Sequence, residues 1–159
     1  VTKGFAIAAG NPLLGVSNFL VVTLPDDYNI KIGEFPTEVN NSIILNNVKW
    51  VIDGDAYHYI YNNNHGYQLK IKVRNSQRKI HQIQEKILEN GEFTISSHKA
   101  SYSLVSRSIG FIKKQQIQVL NIHFYCDHTN RTIELEIMGK DILSELKNFI
   151  SNLKESICH

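Results

Sequence analysis

The sequence predicts an α+β domain: an antiparallel sheet with two amphipathic helices packed on it. Three observations lead there. Leu69, Ile71 and Val73 alternate with polar residues, as do Ile133, Leu135 and Ile137, the period of strands with one buried face. Over about 76–89 and 141–157 the apolar spacing lengthens to that of a helix. Asn- and Gly-containing turns punctuate the runs.

The elements follow in chain order. Asn18 to Leu24 reads as a buried strand stopped by Pro25, and Ile30 to Ile32 as a short one. Ile43 to Val48 and Lys49 to Ile52 are further apolar runs, with Asp53-Gly54-Asp55 as a turn. Tyr57 to Tyr61 and Tyr67 to Val73 form a hairpin across Asn62 to Gly66. Asn75 or Ser76 then caps a helix that buries Ile80, Ile83, Ile87 and Leu88 and stops at Asn90-Gly91. Glu92 to Ser97, Lys99 to Val105, Gln116 to Asp127 and Arg131 to Met138 are strands. Ser106 to Gly110 is a bend and Lys113-Lys114 a turn. After Gly139 the last helix starts at Asp141, with Ile142, Leu143, Leu146, Phe149, Ile150, Leu153 and Ile157 along one stripe.

Tyr57 to Glu89 and Ile122 to Glu155 share one order of strand, turn, alternating strand and helix. A shift of about 64 places Leu69, Ile71 and Val73 on Ile133, Leu135 and Ile137. A β-hairpin–helix duplication is one reading; chance alignment of two similar units is the other. Several superfamilies share this element order, and no motif singles one out.

Composition narrows the function classes. The 159 residues suit a single soluble domain spanning 1–159, and 42% hydrophobic with 20% charged residues argues against disorder. A net charge of +2 leaves no global field for nucleic acid or anionic membrane, so an electrostatic partner must be read by a local patch. Phe5 to Leu24 is too polar and too broken to span a bilayer. The compartment expected is the cytoplasm, unless a leader was removed before Val1.

No catalytic motif is present, nothing implies a cofactor, and Asp53-Gly54-Asp55 lacks the later ligands of a calcium loop. The serines between Ser96 and Ser108 beside His98 and Lys99 read as exposed strand and loop residues. The leading expectation is therefore a non-catalytic binding module, with a protein partner ahead of nucleic acid. One alternative is a single-stranded nucleic-acid platform made of Tyr57, Tyr59 and Tyr61 with Lys70, Lys72 and Arg74, if both sets share the wet face. Hairpin register decides this, and tyrosines against Leu69 and Ile71 in the core is the favoured outcome. Another is an enzyme whose site assembles from His58, His98 and Asp127.

Only two cysteines are present. Arg131 to Met138 runs outward roughly 27 Å at ~3.4 Å per residue. The last helix returns roughly 25 Å at ~1.5 Å per residue. The geometry thus brings Cys158 back to Cys126, with a disulfide expected. Zinc held by Cys126, His128, Cys158 and His159 is the lesser alternative, and two quiet buried thiols a further one.

Overall fold

The computed structural model describes residues 19–22, 30–34, 43–45, 48–54, 56–62, 66–79 and 85–158. Strands β1 (Phe19–Val22) and β2 (Ile30–Glu34) lie where short apolar runs were expected, as do β3 (Ile43–Leu45) and β4 (Val48–Asp53). Next come β5 (Ala56–Asn62), β6 (Gln68–Asn75), β7 (Lys86–Ile95) and β8 (His98–Ile109). They are followed by β9 (Gln115–Cys126), β10 (Arg131–Gly139), helix α1 (Leu146–Leu153) and β11 (Ile157–Cys158). An eight-stranded sheet has the order β3-β4-β5-β6-β10-β9-β8-β7, and a three-stranded sheet the order β11-β1-β2. Every pairing is antiparallel.

The expected α+β architecture with two helices does not hold: the described residues form a β-fold with one short helix. Of the predicted helix over 76–89, residues 86–89 begin β7, 76–79 are irregular, and 80–84, with Ile80 and Ile83, lie outside the described residues. Two physical reasons stand out. Isoleucine is only a middling helix former, and β7 gains an antiparallel partner in β8 from Lys86 to Ile95, interrupted by a bulge at Leu88. Asn90-Gly91 is also no helix stop. Gly91 lies opposite Tyr102 within the strand, and the outer end of that ring lies 2.9 Å from where a Cβ would stand, so the ring fills the space that glycine leaves.

The last helix is real but shorter than 141–157. Gln118 Oε1 accepts the amides of Ile142 (2.5 Å) and Leu143 (2.7 Å), and the Asp141 carboxylate accepts the Ser144 amide (3.2 Å). These contacts satisfy donors at the start of the helical run, which have no partner within it. After Leu153 the chain extends, and Val21↔Ile157 and Leu20↔Cys158 pair β11 with β1. Strand partners replace what one more helical turn would have given, and Ile157 is exposed instead of completing the stripe.

Ile133, Leu135 and Ile137 share one core with Ile142, Leu146, Phe149 and Leu153, as the two apolar periods require. Val22, Trp50 and Cys158 join the same cluster, so α1 and the small sheet cover one face of the large one. The proposed duplication survives only as hairpins. β5-β6 and β10-β9 lie side by side about the central pair Ile71↔Leu135, and no described helix follows the first of them.

The connection from β6 to β7 joins the middle of the sheet to its far edge, and its described ends both contact neighbouring strands. The Arg78 amide donates to Thr132 Oγ1 on β10 (2.9 Å), and the Arg78 carbonyl lies 3.3 Å from His123 Nε2 on β9. At the other end Glu85 grips Arg107 of β8 in a bidentate pair of 2.5 and 3.0 Å. No described helix is long and apolar enough to cross a membrane.

Candidate interaction site

The tyrosines and the basic residues lie on opposite faces. Tyr57↔Val73, Tyr59↔Ile71 and Tyr61↔Leu69 are direct partners, so the three rings join the apolar side of β6. Tyr57 is fully buried, and burial, followed by the neighbouring Tyr61, raises the Tyr59 hydroxyl above its ordinary pKa. Lys70, Lys72 and Arg74 point the other way, where β10 is acidic. Lys70 is opposite Glu136, Lys72 is opposite Glu134, and Arg74 Nε bonds Glu134 at 2.6 Å. The basic stripe is thus matched by carboxylates within its own sheet, and the aromatic-plus-basic platform is not assembled.

The residues of the proposed enzyme site are also divided. His98 lies 3.7 Å from the exposed carboxylate of Asp127 and stacks on Phe124 at 6.2 Å. His58 is across the sheet, opposite Lys72.

Cys126 and Cys158 do meet, but as free thiols, both wholly buried. The expected disulfide is absent from this structure. The two thiols are neighbours in the core, and the β1–β11 pairing already fixes the strand that carries Cys158. Burial first, then the adjacent Cys126, pushes the Cys158 thiol well above its ordinary 9.0, against a smaller opposing effect of the Thr129 hydroxyl. A thiol held protonated is a poor nucleophile and a poor metal ligand. His128 is exposed and His159 lies outside the described residues. Among the described residues no three His, Cys, Asp or Glu side chains converge as a metal site would need.

A different feature emerges at the other end of the sheet. β8 and β9 extend beyond both neighbours, since β7 begins opposite Ser106 and β10 ends opposite Gln118. The pairs Arg107↔Ile117, Ser108↔Gln116 and Ile109↔Gln115 therefore form a two-stranded arm that no other described strand flanks, roughly 10 Å long at ~3.4 Å per residue and rooted at Ile117, which is buried with Val105 and Val119. One face of its shank is polar, where Gln116 accepts from Ser106 at its base (3.0 Å) and donates to Ser108 (2.5 Å), and the other carries Arg107, the exposed Ile109 and the buried Ile117. Its apex carries Phe111 and Ile112, at 101% and 102% exposure, followed by exposed Lys113 and Lys114. Gly110 sets this apex at φ +102°, where an added Cβ would meet the Lys113 carbonyl oxygen at 2.5 Å.

Sequence reading noticed Lys113-Lys114 only as a turn and passed over Phe111 and Ile112. The available signal was an apolar pair inside a turn segment, where polar residues are usual. Compared with protein-family models and with curated proteins, the chain has no match.

Proposed function

We propose that this chain is a non-catalytic binding module whose contact element is the β8–β9 arm. One observation carries the reading: a large aromatic and an isoleucine stand fully in solvent at the apex of a projecting hairpin. Isolated apolar residues on a surface are ordinary, but a contiguous, presented pair marks an interaction site. The charged network on the second face supports the same view from the other side. Glu85, Arg107 and Glu136 are engaged with one another, as befits a scaffold that braces the base of the arm.

The experiment is a stability comparison with a proximity label. Replacing Phe111 and Ile112 together with Ser should leave unfolding free energy within about 0.5 kcal/mol of the parent, as surface substitutions do. A photo-crosslinker at Phe111, introduced in cells of the source organism, should give adducts that the same group at Asp127 does not. A marked loss of stability in the double variant would put both side chains in the fold's own packing and remove the reading, as would equal labelling at the two positions.

A further inference from the structure

We infer that the surface met by this arm is an anionic lipid bilayer, with Phe111 and Ile112 entering the interface and Lys113 and Lys114 held at its headgroups. This rests on the arm being the contact element, and it adds what the element contacts.

Shape and area come first. The apex is convex and offers two large side chains, the aromatic one burying about 150–250 Å². A specific protein interface needs about 800 Å² per partner, which these side chains do not approach. A bilayer interface asks for no complementary surface and accepts a small apolar wedge backed by cations.

Charge points the same way. From Phe93 to Cys126 the sequence contains no Asp or Glu, so neither strand of the arm nor its apex carries a carboxylate. Arg107, at the base, is already taken by Glu85 and Glu136. Lys113 and Lys114, directly behind the apolar pair, are both exposed. Behind the apolar apex come Lys113 and Lys114 on one limb and the exposed Ile109 on the other, and then a polar stretch of Ser108, Gln115 and Gln116. That gradient matches the passage from acyl boundary through headgroups to water. Insertion would stop at the apex, within the roughly 5–10 Å depth usual for interfacial anchors. Gly110 shapes the turn that carries them: its left-handed conformation and close approach to the Lys113 carbonyl leave no room there for another residue.

The test uses the full chain and two kinds of vesicle, phosphatidylcholine alone and phosphatidylcholine mixed with phosphatidylglycerol. At low salt the protein should sediment with the anionic vesicles and much less with the neutral ones. A Phe111→Trp variant should show a blue shift on binding, while buried Trp50 gives a constant background. Lys113→Gln with Lys114→Gln should weaken partitioning by about 25-fold, near fivefold per lysine. Phe111→Ser with Ile112→Ser should remove most of the sedimentation with anionic vesicles, even at low salt. No partitioning onto anionic vesicles overturns the inference, as does binding that the Phe111/Ile112 double variant retains. So does an oligonucleotide that binds the arm more tightly than the vesicles do. If vesicles fail while Phe111 still crosslinks selectively and its replacement leaves stability intact, the arm remains a contact element for a protein and only the lipid assignment falls.

Discussion

Cys126 and Cys158 show how a residue's surroundings set its chemistry. Burial makes ionisation of Cys158 costly, so the folded state keeps its proton at a pH where an unfolded chain gives it up. The sign follows from proton counting. Cys158 has a raised folded pKa, so its contribution is intact below the ordinary thiol range and is lost as pH climbs above 9.0. Stability should fall there by up to about 1.4 kcal/mol per pH unit for this one group. Urea melts at neutral and alkaline pH check it. Cys158→Ala should flatten the alkaline slope, and an unchanged slope would assign it to other groups. Thiol titration should find little fast reactivity in the folded protein and two reactive groups after unfolding without reductant. The two cysteines do meet, but not by the expected route: the helix ends at Leu153, and Cys158 is placed by the pairing of β11 with β1, which strand and helix rises do not foretell. Their bonding state was not legible either, since distance arithmetic carries no redox information. The orientation of Tyr57, Tyr59 and Tyr61 was legible to the extent that register parity leaves two choices, of which the buried one is adopted.

At the scale of elements, period-2 patterns translated directly into strands, and β6 and β10 match their apolar alternation residue for residue. The failure at 86–95 has a specific cause. Ile87 and Leu88 suit a helical stripe only if Gly91 ends it, whereas Gly91 serves a ring on another strand, Tyr102, that no local pattern announces. Likewise Ile157 fits the helical stripe by spacing, but a distant β1 claims it for pairing. Helix α1 itself gives a direct test. Phe149 is 1% exposed and packs on Tyr67 with ring centroids 5.8 Å apart, and Leu135 is 2% exposed beneath the same covering layer. Truncating either to Ala should cost about 2–5 kcal/mol, the range for emptying a packed site. Denaturant melts would read this, and a change below about 0.5 kcal/mol would mean the site is not packed.

For the molecule as a whole, neither the sheet order nor the arm could be read from local patterns. Antiparallel meanders β3 to β6 and β7 to β10 are each sequential, but the jump between them to the far edge is a choice among topologies with identical element strings. The arm follows from that choice, because it projects only where β7 and β10 stop short of β8 and β9.

The jump also has a consequence in time. Each meander closes through short turns, but the seam between β6 and β10 joins residues as distant as Gln68 and Met138. Its formation must meet a large loop-closure entropy before contacts repay it. The two half-sheets should therefore assemble early and wait on the seam, with α1 settling afterwards. Leu135→Ala, in the seam, should mainly slow folding, whereas Phe149→Ala, in the covering helix, should mainly speed unfolding. Stopped-flow chevrons separate the two limbs, and a Leu135→Ala effect confined to unfolding would place the seam after the barrier. Until it closes, the inner edges of both half-sheets stand open. The most dangerous interval for this chain is thus the wait between two finished halves, when either unpaired edge can recruit a strand from a neighbouring molecule.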